Sequence, residues 1–279
     1  MSKKALWAGL ALAAGTLAAA TTAVLLAAPR AGSPDEGGSM ASGTWSIEPA
    51  DWKPERAASG PMVQLTLSGR SGHGHWNSSM PITLGELRGL GAEQMKGAAG
   101  AVNFQIVRDA GTISCDGTFR DGTGAGHFTF AGNPEYLAAV RAMGYPAPDS
   151  GQLFSLALHD VSRAFIKELS DLGYPRLPFD DLVSFRIHGV SADMVRDLQA
   201  LGYRHPEPDG LVSLRIHGAT PGFVRELKEL GYDPPPSLDD LVSMRIHGVS
   251  GEMVRDLQQL GYGQVAVDDL VSMRIHGQD

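Results

Sequence analysis

Arginine and histidine are the side chains in this chain whose spacing could do chemistry. The segment Leu-Val-Ser-x-Arg-Ile-His-Gly occurs four times, and its histidines, His188, His217, His247 and His276, are 29, 30 and 29 residues apart. Two residues before each histidine stands Arg186, Arg215, Arg245 or Arg274. If the units stack, the two columns form a ladder of guanidinium and imidazole groups. The forked donors of arginine suit an anionic or carboxylate-rich partner. The structural alternative is that the histidines bond the last carbonyls of their helices. In that reading the arginines pair with a neighbouring column of acids or with helix-capping Asp180, Asp209, Asp239 and Asp268. Repeats must reproduce their own contacts between units, so identity at these positions needs no ligand. One histidine per unit, with no second ligand beside it, is a poor donor set for a metal, and no cofactor is expected there.

Three further features lie upstream. His73-Gly74-His75-Trp76 places two imidazoles in a glycine-rich loop, and His127 is a third ligand only if the fold brings it near. Two histidines fall short of the four ligands of a closed zinc site. Gly122-Thr123-Gly124-Ala125-Gly126 resembles a phosphate-cradling loop superficially, but it lacks a strand before it and a helix after it. A tightly packed β-turn accounts for it better. Cys115, the one cysteine, lies in an alternating apolar strand and is expected to be a buried small hydrophobe.

The elements that must position these groups follow from pattern. Residues 43–132 alternate apolar and polar residues, as in Val63, Leu65 and Leu67, with Asp116-Gly117 and Asp121-Gly122 as turn signals. They predict a small antiparallel sheet, rolled or sandwiched, with one short helix over Pro81–Leu90. Residues 133–279 predict a helical repeat array of about 29 residues per unit, two short helices each. The first helix of a unit, as in Asp180–His188, opens on an Asp N-cap, supplies Leu182, Val183, Phe185 and Ile187 as apolar surface, and stops at Gly189. The second opens on Ser191, Thr220-Pro221 or Ser250 and ends in Gly-Tyr, as in Gly202-Tyr203. Such helices are too short to stand alone in water, so the units must stack as a solenoid. An earlier copy, Leu153 to His159, carries Ala157 where the others carry Arg. The fold class is therefore α+β, an antiparallel β domain fused to an α-helical solenoid.

Ahead of both lies Lys3-Lys4, then an uncharged run from Ala5 to Ala28. Residues 1–28 are expected to be a signal peptide or signal-anchor helix, and 29–42 a flexible tether. The protein would then be extracytoplasmic, touching the membrane only through its N-terminal segment. Of the formal charge of −8, the array carries the whole excess, with 13 basic and 21 acidic residues. That argues against attraction to nucleic acid or anionic lipid.

Asp-Ala-Gly-Thr (109–112), Asp-Gly-x-Gly-x-Gly-His-Phe-x-Phe (121–130), Asn133-Pro134 and the Leu-Gly-Tyr and His-Gly-Val repeats together resemble a bacterial exported repeat family. Similar segments are appended to sensor metallopeptidases of the BlaR/MecR antirepressor type. The zinc motif His-Glu-x-x-His of those peptidases is absent from this chain. The resemblance implies an envelope accessory or sensing module. The expected function is a non-enzymatic binding or scaffold role, with an envelope protein or sensor as partner and the ladder as its binding surface. The alternative is a hydrolase or metal-dependent activity built from His73, His75 or His127 with Asp116 or Asp121.

Overall fold

Glycines of the first region face aromatic rings across the strands, and this pairing shapes the sheet. In the computed structural model, residues 42–49, 60–71, 74–97 and 99–277 are described. The expected N-terminal apolar helix, the tether through residue 41 and His73 lie outside the described residues. Among the described residues seven antiparallel strands run in the order β3-β2-β1-β7-β6-β5-β4. They are β1 (Ser42–Pro49), β2 (Met62–Ser71), β3 (Gly74–Thr83), β4 (Leu87–Arg88), β5 (Gly100–Arg108), β6 (Gly111–Arg120) and β7 (Thr123–Gly132).

Alternation puts Trp45, Ile47, Leu65, Leu67, Phe104, Ile113, Cys115, Phe119 and Phe128 on one buried face. Glycine opposite these rings leaves them room to lie flat. A Cβ on Gly117 would stand 2.6 Å from the Trp45 ring, one on Gly69 2.7 Å from Trp76, and one on Gly43 2.8 Å from Phe128. Trp45 Nε1 donates to the Asp116 carbonyl at 3.0 Å, which locks the ring over Gly117. The glycines of 122–126 belong to this scheme. Gly122 turns the β6–β7 hairpin with φ +85°, and Gly124 lies under Phe119.

No helix forms over Pro81–Leu90. Pro81 sits in β3, an edge strand, where its missing N–H is tolerated. A single 3-10 turn follows at Leu84–Glu86, and then β4. Gly85, Gly89 and Gly91 interrupt helical propagation, and Gly89 takes φ +99°. Leu84, Leu87 and Leu90 are buried as their spacing suggested, by a turn rather than a helix. The short helix comes later, as α1 (Ala92–Lys96).

Among the described residues ten helices follow: α2 (Pro134–Ala142), α3 (Ser150–Leu158), α4 (Arg163–Asp171), α5 (Phe179–His188), α6 (Ala192–Ala200), α7 (Pro208–Ile216), α8 (Pro221–Glu229), α9 (Leu238–Ile246), α10 (Gly251–Gln259) and α11 (Val267–His276). The odd-numbered helices from α3 contact one another in succession, and so do the even-numbered ones. One continuous apolar core runs beneath both rows. The even-numbered helices open as their sequence suggests. Side chains of Asn133, Ser162, Ser191, Thr220 and Ser250 each accept from a backbone N–H of the first turn.

The odd-numbered helices begin earlier than expected. Their N-caps are Asp149, Pro178, Glu207, Ser237 and Ala266. Asp180, Asp209, Asp239 and Asp268 lie within the first turn, where they complement the helix dipole without capping.

Tyrosine links consecutive units. The hydroxyls of Tyr174, Tyr203 and Tyr232 donate to the carbonyls of Pro206, Pro236 and Val265 at 2.5–2.6 Å. Sheet and helices join without a linker. Asn133 N–H donates to Ala110 O, and its side chain to Asp109 O, on the β5–β6 turn. From above that turn, Phe154 and Leu158 of α3 complete the sheet core.

Gly117→Ala should cost about 1–3 kcal/mol, because neither the Trp45 ring nor the Ala125 carbonyl can retreat. Urea titration followed by tryptophan fluorescence measures this. An unchanged midpoint would mean that ring and glycine are not coupled.

Candidate functional site

The four Arg-Ile-His-Gly copies end α5, α7, α9 and α11. A helix leaves its last carbonyls without internal partners, and its negative dipole end attracts cations. Three of the four arginines donate back one unit to such an end. Arg186, Arg215 and Arg274 donate from Nε to the carbonyls of His159, His188 and His247 at 3.1, 3.2 and 3.3 Å. Arg245 instead lies over the Phe223 ring, 5.1 Å from its centroid. Arg186 also forms an ion pair with Asp160 at 2.7 Å.

The expected pairing of these arginines with Asp180, Asp209, Asp239 and Asp268 does not occur. Those acids stand at the opposite end of each helix. Glycine serves two needs at once. Gly189 takes the left-handed conformation at φ +73°, and a Cβ there would stand 2.9 Å from the Arg215 guanidinium.

Histidine contributes its backbone to this linkage and keeps its side chain outside. His188, His217, His247 and His276 are exposed, and their imidazoles make no hydrogen bond or ion pair among the described residues. Isoleucine behaves differently from expectation as well. Ile187, Ile216, Ile246 and Ile275 are 55, 57, 55 and 45% exposed. The core of these helices is Leu182 and Phe185, Leu211 and Leu214, Leu241 and Met244. At 3.6 residues per turn, a residue five places after the first core leucine points about 140° away from it. The outward face therefore carries isoleucine and the first-turn Asp180, Asp209, Asp239 and Asp268, with histidine to one side. Arginine, about 40° from the core leucine, points along the row toward the preceding unit.

The worn first copy explains itself by its neighbour. Ala157, at the arginine position, is fully buried, and Leu158, at the isoleucine position, is 6% exposed. The sheet lies over this unit, so no helix end stands behind it to be capped. Arg108 of β5 takes part in its place, 2.6 Å from Glu86 and 4.0 Å from Asp160. His159 is largely covered, and burial, then the charge of Arg186, holds its pKa below the ordinary imidazole value.

Asp109 on the β5–β6 turn caps α4. Its carboxylate accepts from Arg163 N–H at 2.7 Å and pairs with the guanidinium at 2.7 Å. Burial pushes this carboxyl up, but the bonds and charge of Arg163 outweigh that and leave its pKa below the usual value. Among the even-numbered helices Arg225 pairs with Asp197 at 2.6 Å and Arg255 with Glu226 at 2.9 Å. Arg196 turns to Asp193 of its own helix.

On the sheet, His127 and Asp116 occupy paired register positions on β7 and β6. His75 lies on β3, three strand spacings from β7, or roughly 14 Å. Asp121 sits in the β6–β7 turn, with φ 50°. No group of three or more histidine, cysteine or acidic residues that could hold a metal occurs among the described residues. Cys115 is buried, and burial, with the nearby Asp116 charge, pushes its thiol up to about 12. Such a thiol is not a nucleophile at neutral pH. No helix among the described residues is long and apolar enough to cross a membrane. No protein-family model, curated protein or solved structure matches this chain.

Two measurements probe these arrangements. Arg215→Ala should lose roughly 1 kcal/mol through the uncapped His188 carbonyl, while Ile216→Ser should leave thermal stability unchanged. Equal losses would show that the isoleucine is packed. The Asp109 pKa is depressed in the folded state, so its contribution is complete above the unfolded carboxyl value near ~3.9 and fades as pH falls through the folded value. The stability gap between the parent and Asp109→Asn should close on acidification. A gap constant from about pH 6 to pH 2 would exclude the Arg163 pair as its source.

Proposed function

We propose that this chain is a non-enzymatic exported binding module of the bacterial envelope. Residues 133–279 form a solenoid whose outward face engages another envelope protein or sensor. The observation that carries the reading is the contrast between aligned positions. Leu158 is covered by the sheet, whereas Ile187, Ile216, Ile246 and Ile275 stand open in a row. The sheet already uses this face of α3 as a docking surface, and the same face continues uncovered along α5, α7, α9 and α11. An exposed isoleucine recurring in four units does nothing for its own helix, and rows of exposed apolar groups mark interaction sites. Stacked repeats expose long surfaces suited to extended partners.

The arginines of the ladder divide their roles. Arg186 has a carboxylate partner in Asp160, while Arg215, Arg245 and Arg274 have none among the described residues. Their remaining N–H groups, with the exposed histidines, form a basic border beside the isoleucines for an acidic or carboxylate-bearing partner. Export rests on Lys3-Lys4 and the uncharged run that follows.

The test is capture from solubilised envelope by the tagged chain, comparing the parent with the triple variant Ile187→Ser, Ile216→Ser, Ile246→Ser. The variant should melt with the parent and lose the retained protein. Undiminished retention by the folded variant would reject the outward face as the binding surface.

A further inference from the structure

We propose that the hollow between α2, α4 and the loop ahead of α5 binds a small carboxylate with an apolar body, held by Arg176 and Tyr145. Two cavities meet there. One, of about 460 Å³, is lined by Met143, Tyr145, Ile166, Lys167, Pro175 and Arg176. The other, of about 240 Å³, shares Tyr145 and Arg176 and reaches Gln152 and Phe179. Ligand pockets ordinarily begin at roughly 300 Å³, so the larger cavity admits a single amino-acid residue or a compact acid.

Tyr145 sets this place apart within the array. Tyr174, Tyr203 and Tyr232 each donate from the hydroxyl to the carbonyl just ahead of the N-cap of an odd-numbered helix, at Pro206, Pro236 and Val265. The counterpart for Tyr145 is the Leu177 carbonyl ahead of Pro178, and no such bond forms among the described residues. Its ring stacks instead on Phe179, at 5.1 Å and 17°, where the later units carry Pro208, Leu238 and Val267. Tyr145 is only 8% exposed, and its hydroxyl makes no hydrogen bond among the described residues. Burial pushes its pKa up, so the hydroxyl stays a neutral donor. A covered donor without an acceptor costs stability that a ligand oxygen would restore.

Arg176 supplies the charge. It is held at φ 58°, a left-handed conformation that a long side chain seldom adopts, and strain of this kind gathers at ligand clamps. Its stem passes over Gly144, where an added Cβ would stand 3.3 Å from the Arg176 Cδ. The guanidinium has no hydrogen bond or ion pair among the described residues. Of the neighbouring charges, Lys167 is paired with Asp171 at 2.6 Å, and Asp180 lines the smaller cavity, which favours an anion in the larger one. The corresponding cavity beside Tyr232, of about 380 Å³, has Gln264 at the Arg176 position and no charged side chain in its lining. Its tyrosine hydroxyl is already bound to Val265. The repeated loop alone therefore does not make the site.

The two free groups are both donors, so the ligand presents charged acceptor oxygens, and Met143, Ile166 and Pro175 receive its apolar body. A carboxylate matches one guanidinium fork and one hydroxyl. The test uses the full chain with isotope-labelled methionine methyl groups, the Met143 signal being identified by its loss in Met143→Leu. Both 3-phenylpropionate and N-acetylphenylalanine should shift that signal saturably. N-acetylphenylalanine amide, which lacks the carboxylate, should bind about tenfold more weakly or worse. Arg176→Gln should weaken both acids by about tenfold or more, and Tyr145→Phe to a lesser degree, neither moving the melting midpoint. Tyr174→Phe, which loses the tie to Pro206, should instead melt lower and bind as the parent does. Tighter binding of N-acetylphenylalanine than of 3-phenylpropionate assigns the site to a peptide C-terminus, and equal or weaker binding to a free acid. No shift of the Met143 signal, equal affinity for the amide, or unaltered binding by the Arg176→Gln chain would overturn the proposal. Tighter binding of phenyl phosphate would overturn it too. Ile187, Ile216 and Ile246 line neither cavity, so this site and the outward face fail separately.

Discussion

A nine-residue helix forms few internal hydrogen bonds for the backbone order it requires, and it leaves four carbonyls unpaired at its end. In this protein one carbonyl at the end of each of α3, α4, α5, α8 and α9 finds its donor one unit further along the chain. Arg215 serves the end of α5, Arg274 the end of α9, and Gln199 and Gln258 do the same for the even-numbered row. The left-handed glycine follows from the same need. It closes the helix and keeps clear the space that the next guanidinium enters. Tyrosine hydroxyls add a second tie at the other side of each unit. Polar contacts between units set the register, and the shared leucine core beneath provides most of the cohesion.

The sheet supplies what a preceding unit would have supplied. Phe154 stacks on Phe128, and Leu158 fills the space beside it, so the first odd-numbered helix belongs to both cores. Asp109 caps α4 from the β5–β6 turn, and Arg108, Glu86, Asp160 and Arg186 form a chain of charges across the junction. Ala157 at the arginine position is the sequence trace of this substitution. A guanidinium there would be driven into the sheet with no helix end to cap.

Much of this was legible from spacing. The period fixes the unit, Ser and Thr mark the starts of the even-numbered helices, and glycine marks the stops. What misled was local chemistry that several arrangements satisfy equally. An Asp before an apolar run suits an N-cap or a first turn, and Pro178 and Glu207 opened their helices earlier. Leucines at 84, 87 and 90 have helical spacing, yet the intervening glycines let a 3-10 turn and a short strand bury them instead. Asp116-Gly117 reads as a tight turn, yet it lies inside β6, and the other glycines within the strands had no local signature. Their reason is a ring on another strand, and only the register brings Gly117 beneath Trp45.

The same distinction sorts the repeated motif. Leucine, arginine and glycine in Leu-Val-Ser-x-Arg-Ile-His-Gly each have a partner within the array, so their recurrence follows from stacking alone. Isoleucine and the imidazole have none. A solvated helix surface would ordinarily carry charged or small polar residues at such positions, and the acids at the helix starts show that this array uses them freely. Recurrence of a large apolar side chain where no intramolecular contact requires it is therefore the part of the motif that stacking does not explain. The one unit in which that position is covered has a β-sheet lying on it, with leucine replacing isoleucine. The face can be buried, and along the four later units it stands open.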